Sequence, residues 1–177
     1  MTHMSVPQIT IDRYGGPDVL RVGEVEVGPP TAGEVRVVVG ASGINFAEVF
    51  CRLGMYRHAP PVPFVPGFEF AGRIESVGSG VRRELLGRMV MGVTRFGGYQ
   101  GAVVVDASRV RLLPKGWTVE EGAAFPAAAL TAAYGLIEPG RLKRGERVVI
   151  HSAAGGVGST AVQIAHAMGA EVIGTCG

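Results

Sequence analysis

The spacing of apolar and polar positions changes near residue 118. Before it, short apolar runs rich in β-branched residues alternate with turn residues, and seven of them are predicted as strands: residues 8–14, 19–27, 34–42, 68–77, 88–93, 99–105 and 110–113. Many short strands with regular turns predict a β-barrel or a β-sandwich. Residues 45–53 depart from this pattern and predict a short helix that ends at Gly54.

After Pro114 the pattern becomes helical. Thr118-Val119-Glu120-Glu121 is a capping box, in which the Thr hydroxyl and the second Glu each satisfy a free amide at a helix start. Pro126 can occupy the first position of a second helix, which is predicted to run to about Ile137 and to end at Pro139-Gly140.

The last segment predicts a strand, a helix and a second strand. Residues 147–151 are a compact apolar strand, residues 153–158 are a glycine-rich turn, and residues 171–175 are another strand. Between the turn and the second strand, apolar residues recur at helical spacing, at Val157, Ala161, Ile164, Ala165 and Met168. The chain is therefore predicted as α/β with a large β part, with domains at residues 1–122 and 123–177.

Composition and charge narrow the classes of function. Hydrophobic residues make up 47% of the 177 positions and charged residues 18%, which predicts a packed core rather than disorder. The net charge is +2 without a basic run, so no nucleic-acid interface is expected. No apolar stretch is long enough to span a membrane and no signal peptide is evident, so a cytoplasmic protein without a membrane span is expected.

The glycine-rich turn has a chemical interpretation and a plainer one. Residues 153–158 read Ala-Ala-Gly-Gly-Val-Gly, the dinucleotide pattern G-x-G-x-x-G with alanine in first place. Such glycines allow a sharp turn, close approach of a pyrophosphate and close helix–strand packing, and the helix start favours an anion. A structural turn is the alternative, but the flanking strand, helix and strand favour cofactor binding. The predicted cofactor contacts are Ala154, Gly155, Gly156, Val157 and Gly158.

The end of the second strand bears on the choice of cofactor. A site that prefers NAD usually offers an acidic residue about twenty residues after the loop. Thr175, Cys176 and Gly177 stand there instead. NADPH is therefore the predicted cofactor, and Thr175 is predicted to lie beside its ribose.

Several motifs in order carry a family resemblance. They are His151 to Gly158 followed by Ala161-Val162-Gln163-Ile164-Ala165, Gly43-Ile44-Asn45-Phe46-Ala47-Glu48, Arg52-Leu53-Gly54-Met55-Tyr56, the run from Val65 to Gly72, and Ala123-Ala124-Phe125-Pro126 with Leu130-Thr131-Ala132-Ala133-Tyr134. From about Gln8 to Gly177, the chain resembles the zinc-independent quinone oxidoreductases of zeta-crystallin type, which are medium-chain dehydrogenases/reductases. The branch related to vesicle amine transport protein 1 is especially similar.

This resemblance implies a GroES-like β-barrel domain followed by a Rossmann domain, with the active cleft between them. Zinc-dependent relatives carry cysteine at the place of Asn45 and histidine at the place of Phe68, and neither amide nor phenyl is a useful zinc ligand. The implied reaction is metal-free hydride transfer from NADPH to a quinone or an α,β-unsaturated carbonyl. By resemblance, Asn45 and Thr131 hold the nicotinamide, and Tyr56 covers the cleft and donates a hydrogen bond to the developing enolate.

Each of these residues also has a structural interpretation. Asn45 is a good cap for the helix that follows it, Tyr56 can pack on the barrel, and Thr131 can bond to its own helix backbone. Glu69 is predicted to be buried with a partner that the sequence does not identify.

The family continues beyond this chain, and one strand–helix–strand unit cannot bury both faces of its sheet. We expect a truncated chain, half of a split protein, or part of a longer reading frame. The expected partners are a small quinone or enone substrate and either a complementary polypeptide or further copies of the chain. Two alternatives to the quinone or enone reductase stay open: an enoyl-thioester reductase of polyketide type, and a non-catalytic binding or assembly module.

Overall fold

The computed structural model describes residues 2–176, so the expectation placed on Gly177 lies outside the described residues. The chain divides into two compact units, Met1–Ala124 and Phe125–Gly177.

An antiparallel sheet forms most of the first unit. Its strands are β3 (Glu34–Ser42), β4 (Glu69–Val77), β5 (Met89–Val93), β6 (Ala102–Asp106) and β7 (Val110–Leu112), in the spatial order β6-β3-β4-β5-β7. The order is open, with β6 and β7 at its two edges. A core of buried valines with Phe70 and Ile74 packs on one face, where alternate positions of each strand point inward.

Two further strands, β1 (Met4–Ile11) and β2 (Leu20–Val27), form a hairpin in continuous register from Met4–Val27 to Ile11–Leu20. The prediction that the first strand covers residues 8–14 was wrong at both ends. The strand begins before Pro7, whose carbonyl oxygen accepts the Gly101 N–H at 2.8 Å. A proline is tolerated there because an outer strand can leave one N–H position unused.

The remaining strand boundaries differ little from the predictions. The sixth strand begins at Ala102 rather than at residue 99, because the backbone of Tyr99 and Gly101 bonds outside the ladder, to Pro66 and Pro7. The second begins at Leu20, because Pro17–Val19 forms a single 3₁₀ turn.

Buried Arg36 ties the hairpin to the sheet. Its Nε donates to Glu75 Oε2 at 2.9 Å, and its Nη1 donates to the backbone oxygens of Thr2, Val27 and Gly28 at 2.9, 3.3 and 3.1 Å. These bonds satisfy a buried guanidinium that would otherwise be costly to desolvate.

Two helices complete the first unit, α1 (Phe46–Arg52) and α2 (Val119–Ala124). The predicted capping box begins α2: Thr118 N–H donates to Glu121 Oε2 at 2.7 Å, and Glu121 N–H donates to Thr118 Oγ1 at 3.2 Å. This local prediction is confirmed.

The second unit contains helix α3 (Pro126–Ile137), strand β8 (Arg147–His151), helix α4 (Gly156–Ala167) and strand β9 (Glu171–Thr175). The two strands pair in parallel. Small alanines from both helices pack with Ile150 in a core of their own. The predicted strand–helix–strand unit is confirmed, with both strand ranges as expected.

No helix within residues 2–176 combines the length and the apolar character needed to cross a membrane.

Candidate functional site

The first candidate residue, Asn45, stands where β3 gives way to α1. It is the N-cap of α1 with an extended backbone, and a capping box links it with Glu48: Asn45 N–H donates to Glu48 Oε2 at 2.8 Å, and the Asn45 side chain faces the Glu48 N–H. The structural interpretation of Asn45 as a helix cap is confirmed. Its role toward a nicotinamide stays a prediction.

The side chain of Asn45 also identifies a partner for Glu69. Asn45 Nδ2 donates to Glu69 Oε1 at 2.8 Å, and Glu69 is 1% exposed. The carboxylate also lies against the backbone of Gly43, where an added Cβ would come within 2.2 Å of Glu69 Oε1 and 2.5 Å of the Ala123 carbonyl oxygen. Glycine at position 43 therefore makes room for the buried carboxylate behind Asn45.

Glu48 is a second buried carboxylate beside Asn45. Its Oε1 accepts the Phe68 N–H at 3.2 Å, so it joins the start of α1 to the residue that precedes β4. Burial raises the pKa of Glu48, although the hydrogen bonds that it accepts oppose this shift.

These carboxylates affect the pKa values of two other side chains, Cys51 and Tyr99. Burial, with the charge of Glu48, raises the pKa of the Cys51 thiol to about 11. Burial, together with the charges of Glu48 and Glu69, raises the pKa of Tyr99. The Tyr99 hydroxyl is buried without a hydrogen-bond partner among the residues described. The two carboxylates therefore add to the effect of burial in disfavouring negative charge on Cys51 and Tyr99.

Tyr56 lies after α1 in the same unit. Its ring is half-buried and packs on Phe68, with ring centroids 5.7 Å apart and planes at 50°, and beside His58 at 6.3 Å. The packing role proposed for Tyr56 is confirmed. Hydrogen bonding from its hydroxyl to a substrate stays a prediction.

In the second unit, the glycine-rich turn leads into the exposed start of α4. The first amides of any helix have no intrahelical acceptor. Gly155 is the N-cap of α4, and because it has no side chain it cannot accept a hydrogen bond from them as a capping side chain would. An added Cβ at Gly156 would meet no atom within 4 Å, whereas one at Gly158 would lie 2.1 Å from the Ser152 carbonyl oxygen. Open space therefore lies beside Gly156, and glycine is needed at position 158 because the helix start lies close to the backbone of the turn after β8. These residues fit a bound pyrophosphate.

The loop is anchored to the end of β9. Ala153 N–H donates to the Thr175 carbonyl oxygen at 2.9 Å, and the Thr175 hydroxyl lies 2.9 Å from His151 Nδ1. The sequence alone assigns no role to His151. Its pairing with Thr175 follows from parallel pairing in register, which places positions 151 and 175 side by side.

Thr131, the remaining predicted cofactor contact, lies on an exposed face of α3 in the second unit. No group of three or more His, Cys, Asp or Glu side chains suited to a metal ion occurs in the described part of the chain.

Comparison with known proteins identifies the fold. Residues 31–115 match the alcohol dehydrogenase GroES-like domain. The chain is 45% identical to the pikromycin polyketide synthase component PikAII of Streptomyces venezuelae over 83% of its own length and 4% of that protein's. It is 39% identical to the synaptic vesicle membrane protein VAT-1 homolog of Danio rerio over 88% of its length and 32% of the relative's.

Solved structures extend the match to nearly the whole chain. The Escherichia coli quinone oxidoreductase complexed with NADPH superimposes with a TM-score of 0.84 and 36% identity over 97% of this chain and 52% of that one. The CurK enoyl reductase gives a TM-score of 0.90 and 36% identity over 98% and 54%. The predicted fold class is confirmed. The chain spans about half the length of these structures and a smaller share of the curated relatives.

Proposed function

Because the chain belongs to the quinone oxidoreductase family of medium-chain dehydrogenases/reductases, of which it carries the N-terminal portion, we propose that the intact protein reduces a quinone or an α,β-unsaturated carbonyl with NADPH, without zinc. The observation that carries the proposal is the start of α4, where no side chain caps the helix and the space beside Gly156 is open, followed by a strand end without an acidic residue. The family structure with bound NADPH supports the choice of cofactor.

The described residues supply binding and orientation. The free amides at the start of α4 would hold the pyrophosphate, and Thr175 would lie at the ribose. Asn45 and Thr131 would hold the nicotinamide, which supplies the hydride when it is bound. The Tyr56 hydroxyl would donate a hydrogen bond to the acceptor oxygen as negative charge develops there.

A second candidate acceptor is an enoyl thioester. Identity to the polyketide synthase component, at 45%, exceeds identity to the VAT-1 homolog, at 39%, and the CurK enoyl reductase is a structural neighbour. An enoyl thioester presents the same activated double bond as an enone. The chemistry of the described residues therefore serves both acceptors, and the acceptor decides between the two activities.

One experiment tests both candidates. The intact protein is titrated with NADPH while cofactor fluorescence and thermal stability are followed, and turnover is then measured with a quinone, an enone and an acyl thioester. Saturable NADPH binding with reduction of quinone or enone supports the first proposal. Turnover of the thioester alone selects the second. If neither fluorescence nor stability responds to NADPH, both are wrong and a non-catalytic module is favoured.

A further inference from the structure

Asn45 is held from two sides by carboxylates on different elements. Glu48 of α1 accepts its backbone N–H at 2.8 Å, and Glu69 of β4 accepts its side-chain Nδ2–H at 2.8 Å. The first contact fixes the helix start. The second acts on the amide group itself, and it comes from a residue 24 positions away.

The Glu69 contact determines the direction of the NH₂ end of the Asn45 amide, and the Glu48 N–H of the capping box favours the same orientation. A carboxylate accepts hydrogen bonds and has no hydrogen to donate, so it selects the NH₂ end of the amide. The Oδ1 atom must then point away from Glu69, toward the Glu48 N–H of the capping box. A carbonyl oxygen has two lone pairs, so one acceptor position remains for another donor.

Glu69 itself is firmly placed. It is 1% exposed, and its Oε1 lies against the backbone of Gly43, where any side chain would overlap it. This packing holds the Glu69 carboxylate in one position. The position of the carboxylate in turn orients the Asn45 side chain that donates to it.

We propose that Glu69 is a positioning residue, which acts through Asn45 to keep the amide Oδ1 presented as an acceptor for the carboxamide N–H of the nicotinamide. This inference rests on the proposed function. It assigns to a residue outside the cofactor-contacting set the task of selecting one of two amide orientations.

Ligand discrimination provides the test, in the intact protein. Dissociation constants are measured for NADPH and for 2′-phospho-ADP-ribose, which lacks the nicotinamide. Glu69→Gln can present an NH₂ group to Asn45 and so permits the flipped amide. We expect NADPH affinity to fall about tenfold while affinity for 2′-phospho-ADP-ribose is unchanged. Glu48→Gln is the matched control, because it alters a buried carboxylate beside Asn45 but keeps an oxygen for the Asn45 N–H and leaves the acceptor of Asn45 Nδ2 unchanged. The ratio of the affinities for the two ligands should therefore stay as in the wild type.

A compensating pair adds a second readout. Asn45→Asp places two carboxylates together and should weaken NADPH binding at least as much as Glu69→Gln. In the double variant, the amide introduced at position 69 can donate to the carboxylate introduced at position 45, whose other oxygen takes the place of the Asn45 Oδ1. The double variant should therefore bind NADPH about tenfold more tightly than expected if the two single effects were independent.

Two results would overturn the inference: Glu69→Gln with unchanged discrimination between the ligands, or a double variant as weak as the product of the singles. Absence of NADPH binding by the wild-type protein would remove the proposed function as well, and is thereby distinguished from these.

Discussion

Replacement of Gly158 by alanine tests whether the glycine loop depends on close contact between the start of α4 and the Ser152 backbone. Gly158 is buried in the first turn of α4, and its added Cβ would lie 2.1 Å from the carbonyl oxygen of Ser152 and 2.8 Å from its carbonyl carbon. The Ser152 oxygen cannot turn away, because it already accepts the Gly155 N–H at 2.9 Å. An ordinary contact requires about 3.4 Å, so helix and loop must separate by roughly an ångström.

The magnitude follows from two opposing terms. Overpacking of this kind costs about 3 kcal/mol, at the upper end of the usual range since both sides of the contact are backbone. The better helix propensity of alanine returns about 1 kcal/mol. We therefore expect a net loss of about 2 kcal/mol in the free energy of unfolding. The same displacement moves the free amides of α4 and should weaken NADPH binding about tenfold.

Urea unfolding followed by circular dichroism, with parallel NADPH titration, measures both effects. Gly135→Ala is the control: this glycine is exposed within α3, and an added Cβ there meets nothing within 4 Å. It should raise stability by about 1 kcal/mol. A Gly158→Ala variant that matched Gly135→Ala in stability and bound NADPH as the wild type does would refute the reasoning.

Three further predictions concern the cap of α2, the two cysteine thiols and the buried carboxylate of Glu48. Thr118→Ala removes one half of the capping box of α2 and should cost about 1 kcal/mol in urea unfolding, with Glu121→Gln costing less because it still reaches the cap amide. With a pKa of about 11, buried Cys51 should resist a thiol reagent at pH 8 while exposed Cys176 reacts, so one thiol should titrate natively and two after denaturation; two reactive native thiols would contradict this. The folded-state pKa of Glu48 is raised, so its stabilising contribution is complete below the ordinary carboxyl pKa and is lost as pH rises through the raised value. Glu48→Gln should therefore flatten that part of the pH–stability curve, and an unchanged curve would exclude Glu48 as its source.

The features that could be predicted from sequence are those in which neighbouring residues determine the structure. The capping box at Thr118 and Glu121 and the strand ranges of β8 and β9 depend on local pattern, and the structure confirms them. The β1 boundary failed for the opposite reason: Pro7 argues locally against a strand, but pairing along the whole of β2 outweighs it.

The side-chain contacts around the candidate site could not be predicted from the sequence. The burial of Glu69 was expected, yet its contact with Asn45 joins residues 24 positions apart and arises only when β4 lies beside β3. The same holds for His151 and Thr175, which strand register brings together. The capping role of Asn45 was local and could be predicted, whereas the contact of its side chain with Glu69 required the fold.

The space that Gly43 leaves for Glu69 constrains how this protein can change over evolutionary time. A methyl group at position 43 would overlap the carboxylate at position 69, so position 43 cannot gain a side chain while Glu69 keeps its place. A lineage that gained a side chain at 43 would need both a shorter residue at 69 and a displaced Ala123 backbone, and the shorter residue would remove the acceptor of the Asn45 Nδ2–H. Glycine at position 43 is therefore expected to be retained in every lineage that keeps the hydrogen bond between Asn45 and Glu69.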